Sequence, residues 1–114
     1  MRRESLMTNK ISVIIPTLNA EKELPNILSA LQKQTRKIDE IIIVDSESTD
    51  KTVQICQKDK SVKLMQIERK DFDHGKTRDM AFRASIGDIV VFMTHDAVPA
   101  RSSLIAKLAA PIEK

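Results

Sequence analysis

Asp71-Phe72-Asp73-His74-Gly75-Lys76-Thr77-Arg78-Asp79 opens a stretch that runs, through a short helical pattern, into Ile89-Val90-Val91-Phe92-Met93 and then Thr94-His95-Asp96-Ala97. A turn carrying acids and bases starts a helix. The helix leads to a continuously apolar strand, and the strand stops at a carboxylate. A strand without polar alternation is one covered on both faces, as in parallel α/β sheets. A helix N-terminus beside Lys76 and Arg78 is a ready anion site, because backbone N–H groups and guanidinium forks both suit phosphate. The same residues also fit a solvated helix face paired with Asp73 and Asp79. The carboxylate of Asp96 suits a divalent cation that shares its other ligands with phosphate, or a turn before Pro99.

Working outward, the same alternation repeats. Ile11-Ser12-Val13-Ile14-Ile15 is a β-branched strand ended by Pro16, with Thr17-Leu18-Asn19-Ala20 as the following loop. Leu24, Ile27, Leu28 and Leu31 recur at helical spacing, with Pro25 in the first turn, where its missing N–H costs nothing. Ile41 to Val44 form a second buried strand that stops at Asp45. Ser46 to Asp50 are rich in N-cap residues, so a helix is expected from there to about Lys58, with Val53 and Cys56 facing inward. Val62 to Ile67 make a weaker, more polar strand suited to a sheet edge. A helix from Gly75 presents Thr77, Met80, Ala81 and Ala84, and Gly87 is placed to end it in a left-handed cap. Strand four spans Ile89 to Met93. A last helix follows Pro99, with Leu104, Ile105, Leu108 and Ala109 as its face. The order β-α-β-α-β-α-β-α predicts an α/β fold: a parallel sheet with helices on both faces. Residues 1–10 read as a flexible lead-in and residues 11–114 as one domain.

Composition narrows the function. The 114 residues carry a net charge of +3, with 31% charged and 41% apolar residues. The lysines and arginines are dispersed, and there is no Trp or Tyr. Nucleic-acid binding, which favours a basic stripe with interleaved aromatics, is not expected. One cysteine rules out an internal disulfide and a multi-Cys zinc site. It fits a reducing compartment. No apolar run reaches the roughly 18 residues of a membrane span. Three Phe and no Trp or Tyr are few for a complete carbohydrate enzyme, since sugars stack on amphipathic rings.

In open parallel sheets, ligands bind beyond the carboxyl ends of the strands. Thr17, Asn19, Asp45, Thr94 and Asp96 all fall at such ends. Asp45 can accept hydrogen bonds from a base or a ribose, or it can cap its own loop. His74 and His95 lack metal-ligand spacing. Cys56 reads as core.

Four motifs, in order, resemble a known family. Ser12-Val13-Ile14-Ile15-Pro16-Thr17-Leu18-Asn19 resembles the opening strand of family-two inverting glycosyltransferases of the GT-A fold. Ile43-Val44-Asp45-Ser46-Glu47-Ser48-Thr49-Asp50-Lys51-Thr52 resembles their second strand and acidic loop. Phe72-Asp73-His74-Gly75-Lys76-Thr77-Arg78 resembles the FDHGxTR element of the rhamnosyltransferase-like branch. Thr94-His95-Asp96-Ala97 resembles that branch's TQDA, where other members carry DxD. The resemblance implies the GT-A three-layer sandwich and a nucleotide-sugar donor, dTDP-rhamnose in this branch. Thr17, Asn19 and Glu21 would line the nucleoside pocket, and Asp45 would meet the base. Arg78, with the added Lys76, would lie by the diphosphate, and Asp96 would hold Mg²⁺ or Mn²⁺.

The chain departs from the pattern at Thr94, in place of the first Asp of a DxD, at Asp79, where the branch has Asn, and at Lys76, where it often has Gly. The family's base is an acid in a later segment, expected beyond Lys114. The chain therefore reads as a truncated, donor-binding half, with the glycan or lipid-linked acceptor handled by a missing segment. Such a half is expected to expose apolar surface and to form homo-oligomers. The resemblance places it in the cytoplasm, with the full-length protein peripheral at the inner membrane face. A non-catalytic α/β interaction module, such as a receiver, is the rival. It would want an acidic pair after strand one, where this chain has Thr17-Leu18-Asn19.

Overall fold

A computed structural model describes residues 9–94. Four strands and three α-helices alternate: β1 (Ile11–Thr17), α1 (Leu24–Gln32), β2 (Glu40–Asp45), α2 (Thr52–Lys58), β3 (Val62–Gln66), α3 (His74–Ala84) and β4 (Ile89–Phe92). A short 3-10 turn, Arg69–Asp71, precedes α3. All neighbouring strands are parallel, in the order β3-β2-β1-β4. The order runs outward from β1 to β3 and then reverses to place β4 on the other side of β1. The β1/β4 boundary is thus the switch point.

The helices divide between the two faces. Ile11, Val13 and Ile15 of β1, with Ile41 and Ile43 of β2, pack on Leu24, Ile27, Leu28 and Leu31 of α1 and on Cys56 of α2. Ile14, Ile42 and Val44 point the other way, onto Ala81 of α3 with Met80 beside it. This is the expected period-2 division of a doubly covered strand. The four predicted residues of α1 are its four buried ones. Each such Leu or Ile contributes about 1.5–3 kcal/mol of burial. Burial, and after it the Asp45 and Asp59 carboxylates, push the Cys56 thiol up to about 11, so it is an inert core group.

Several elements differ from the sequence expectation. Pro16 lies inside β1 rather than ending it. The carbonyls of Lys10 and Ile14 bond to the β4 side, whereas those of Ile11 and Thr17 bond to the β2 side. By alternation the Pro16 nitrogen faces the β4 side, beyond the last pair, Ile14 with Phe92. No ladder bond is lost there, so proline is tolerated. The second helix starts at Thr52, because Ser46 to Asp50 spend their side chains on loop bonds; Thr52 and Cys56 face inward and Val53 is half-buried. Of β4 only Ile89 is buried, since it forms a sheet edge among the described residues. The helix expected after Pro99 lies outside the described residues.

Gly87 is not a left-handed cap, for it has no positive φ. Its role is close approach. A Cβ there would sit 2.5 Å from Ser12 Oγ and 2.7 Å from the Ser12 nitrogen. The Gly87 N–H donates to Ser12 Oγ (2.9 Å), and that hydroxyl donates to Glu40 Oε1 (2.7 Å). Glu40 Oε1 also accepts from the Ile86 N–H (2.9 Å), and Oε2 pairs with Lys63 Nζ at 2.8 Å. Burial raises the Glu40 carboxyl, but the Lys63 ammonium, the Ile86 N–H and the Ser12 hydroxyl together hold it below its usual range. This cluster fastens the amino ends of the strands.

Candidate functional site

At the opposite end the strands frame a cavity of about 390 Å³. Its described lining comes from the end of β1 and its loop (Pro16, Thr17, Leu18), from Ser46 after β2, from Arg69 and Phe72 before α3, from Arg78 on α3, and from Phe92, Met93 and Thr94 at the end of β4. It therefore straddles the switch point, where open α/β sheets bind ligands.

Asp45 is fully buried and does not itself line the cavity, which it approaches through Thr17. Its Oδ1 accepts from Thr17 Oγ1 (2.7 Å) and Ser48 Oγ (2.5 Å), and its Oδ2 accepts from the Ser48 N–H (2.9 Å). Every one of these donors is a hydroxyl or an amide. Asp45 thus caps its own loop in this state, and its hydroxyl partners can rotate to other acceptors.

The loop after β1 is tied to the loop after β2. Asn19, in the left-handed region at φ 52, receives the Thr49 N–H on Oδ1 (2.8 Å), and its own N–H donates to Ser48 Oγ (2.8 Å). A short polar side chain is among the few that tolerate this conformation. The Glu21 N–H donates to Asp50 Oδ2 (3.1 Å), and Glu21 Oε1 accepts from the Lys51 N–H (3.4 Å). The Ala20 N–H donates to Thr52 Oγ1 (2.8 Å). Burial raises the Asp50 carboxyl, but the Thr52 hydroxyl and N–H and the Glu21 N–H hold it below its ordinary value. Thr17 and Asp45 are hydrogen-bonded to each other. Asn19 and Glu21 stand on the adjoining loop and bond to its partner.

The third wall is basic. Asp73 caps α3 by accepting the Lys76 N–H (2.9 Å). Lys76 itself is exposed and is not among the cavity-lining residues, whereas Arg78 is. Asp79 pairs with Arg83 at 2.9 Å, one turn further on. Arg69 lines the cavity from the 3-10 turn. Its N–H donates to Glu47 Oε1 (2.7 Å) and its Nη2 to the Glu47 carbonyl (3.1 Å), with Glu47 at φ 60.

Of the cavity-lining residues, Arg69 and Phe92 escaped sequence reasoning, and Phe72 entered only as the first residue of the FDHGxTR-like motif, with no role. An aromatic residue alone in the charged loop from Glu68 to His74 was the available signal for Phe72. Nothing in the sequence marked Arg69. Asp96 lies outside the described residues, and among the described residues no group of three acidic, His or Cys side chains is arranged to hold a metal. No helix among them is long and apolar enough to cross a membrane.

Residues 12–114 match the family described as Glycosyl transferase family 2. The chain belongs to that family. It is 41% identical over 100 residues to the O-antigen chain rhamnosyltransferase RfbN of Salmonella typhimurium, covering 87% of this chain and 32% of that protein. The crystal structure of Staphylococcus aureus TarS in complex with UDP-GlcNAc superimposes with a TM-score of 0.77 at 34% identity, over 91% of this chain and 31% of that one. Glucosyl-3-phosphoglycerate synthase of Mycobacterium tuberculosis shares the fold, with a TM-score of 0.78 at 24% identity over 97% of this chain and 41% of that one. The family-two domain thus has the GT-A architecture that its motifs resemble. The chain spans about a third of the length of RfbN.

Proposed function

We propose that this domain binds the nucleotide-sugar donor of a glycosyl transfer in the cavity at the switch point. One observation carries the reading: two guanidinium-bearing residues, Arg69 and Arg78, line that cavity, and its described lining includes no acid. A dianionic diphosphate is the ligand such a wall selects. The nucleoside then lies toward Thr17, Asn19, Glu21 and Asp45, with Asp45 taking a base N–H in exchange for a hydroxyl partner. The diphosphate lies toward Arg78, with the Lys76 ammonium adding to the field near the start of α3. Asp96 is the carboxylate proposed to hold a divalent ion, which when bound would neutralise charge on the leaving diphosphate.

In the reaction, an acceptor hydroxyl attacks the anomeric carbon directly and the nucleoside diphosphate departs. Arg78 stabilises the negative charge that grows on the leaving group. The described cavity lining offers hydroxyls and guanidinium groups but no general base, so the base and the glycan or lipid-linked acceptor site belong to other residues. The rhamnosyl donor dTDP-rhamnose is the proposed sugar nucleotide, supported by the FDHGxTR-like element and the similarity to RfbN.

Calorimetric titration of the purified protein with UDP, dTDP, UDP-GlcNAc and dTDP-rhamnose, each with and without Mn²⁺, tests this. Binding to at least one diphosphate is expected, with Arg78→Ala weakening it about tenfold or more. A folded protein that binds none of the four would overturn the donor reading.

A further inference from the structure

Arg78 has a neighbour that donor binding leaves without a role. Its guanidinium carbon lies over the Phe92 ring, 5.4 Å from the centroid. Phe92 is the last residue of β4 and is 39% exposed, although it is a large apolar group at a sheet edge. Strand alternation explains where it points. Val90 packs on the sheet face covered by α3, with Ile14, Ile42 and Ala81. Two residues further along, Phe92 returns to that face, opposite the first turns of α3 that carry Arg78. The ring and the guanidinium thus come from the two elements on either side of the switch-point cavity, and both line it.

We propose that Phe92 is a positioning residue for Arg78. A guanidinium is attracted to the negative face of an aromatic ring. Held by its flat face, it keeps the N–H groups at its edge for phosphate oxygens. A long exposed arginine otherwise samples many rotamers, and ordering it on arrival of a ligand subtracts from affinity. With Phe92 beneath it, that ordering is done before the diphosphate binds. The role deepens the donor reading and rests on it, because it specifies what makes Arg78 an effective diphosphate clamp.

The test is titration of the purified protein with UDP and with uridine, replaced by dTDP and thymidine if dTDP is the diphosphate that the wild type binds. Phe92→Leu is expected to weaken UDP about fivefold while leaving uridine unchanged. Phe92→Tyr is expected to keep wild-type affinity, because it keeps the ring face. In an Arg78→Ala background, Phe92→Leu should cause no further loss. Phe92→Met, unbranched and better able to fill an irregular gap, carries the same comparison if the leucine variant fails to fold. The proposal is overturned if Phe92→Leu binds UDP as well as wild type does. It is also overturned if the variant weakens UDP and uridine alike, or if its effect persists without Arg78. Absence of UDP and dTDP binding to the wild type is a separate result, which brings down the donor reading itself.

Discussion

The two ends of β2 each carry a buried acid, and the two acids are used in opposite ways. Glu40, at the amino end, meets the Lys63 ammonium at 2.8 Å and takes the Ser12 hydroxyl and the Ile86 N–H on its other oxygen. Its neighbours are strands and a link so tight that only Gly87 fits. Asp45, at the carboxyl end, meets no cation among the described residues. Its donors are the Thr17 and Ser48 hydroxyls and the Ser48 N–H, and one of those residues, Thr17, lines the cavity. A charge-matched acid in a closed cluster is a brace. An acid held by rotatable hydroxyls can exchange partners. The same residue chemistry, on one strand, thus serves rigidity at one end and leaves exchangeable partners at the other.

Four changes can break or sharpen this contrast. The largest effect is expected from Glu40→Ala, which strands the half-exposed Lys63, the buried Ser12 hydroxyl and the part-buried Ile86 N–H. It should cost about 3 kcal/mol in urea unfolding, with UDP affinity changed less than twofold. A comparable loss of UDP affinity would show that the braced end is not separate from the site. Gly87→Ala should come next, at about 2 kcal/mol, because the new methyl meets the Ser12 and Ile89 backbones at 2.7 and 2.9 Å. Asp45→Asn reverses the balance. It keeps an oxygen for Ser48 and should cost only about 1 kcal/mol in stability, yet weaken UDP about tenfold in calorimetry.

The smallest effect is on pH dependence. Glu40 and Asp50 have carboxyls lowered from 4.5 and 3.8 in the folded protein. The unfolded chain therefore binds protons first as the pH falls. The stability they contribute is complete above about pH 5 and is lost as the pH falls through the folded values. Thermal melts between about pH 5 and pH 3 should show a shallower decline for Glu40→Gln than for wild type. An identical slope would remove Glu40 from the acid limb.

Much of the fold was legible because its periodicities are strong. The apolar runs at Ile11 to Ile15 and Ile41 to Val44 can only be covered strands, and Leu24, Ile27, Leu28 and Leu31 define one helix face. What was not legible depends on partners distant in sequence. Pro16 reads as a strand end, yet is allowed in β1 because β4 stops short of it. Gly87 reads as a cap, yet serves an approach to Ser12. At the carboxyl ends of the strands, Thr17, Asn19 and Asp45 could be located because polar residues after apolar runs mark strand ends, whereas Glu21 was named only through the family resemblance. Arg69 and Phe92 could not be located. An arginine in a charged loop and a phenylalanine in an apolar run acquire meaning only when the switch brings β4 beside β1.

That switch also has a kinetic consequence. The backbone of Lys10 closes on Asp88 across 78 positions, whereas β1 meets β2 after a single helix. Contacts so distant in sequence form late, since a long loop must close before they are made. On a growing chain, β1, β2 and β3 can assemble while one edge of β1 stays open, and β4 then closes the wall that completes the cavity. The cavity is thus expected to be the last part of the described domain to form. Pulsed hydrogen exchange during refolding should protect the amides of β2 before those of β4, and the reverse order would refute this sequence of assembly.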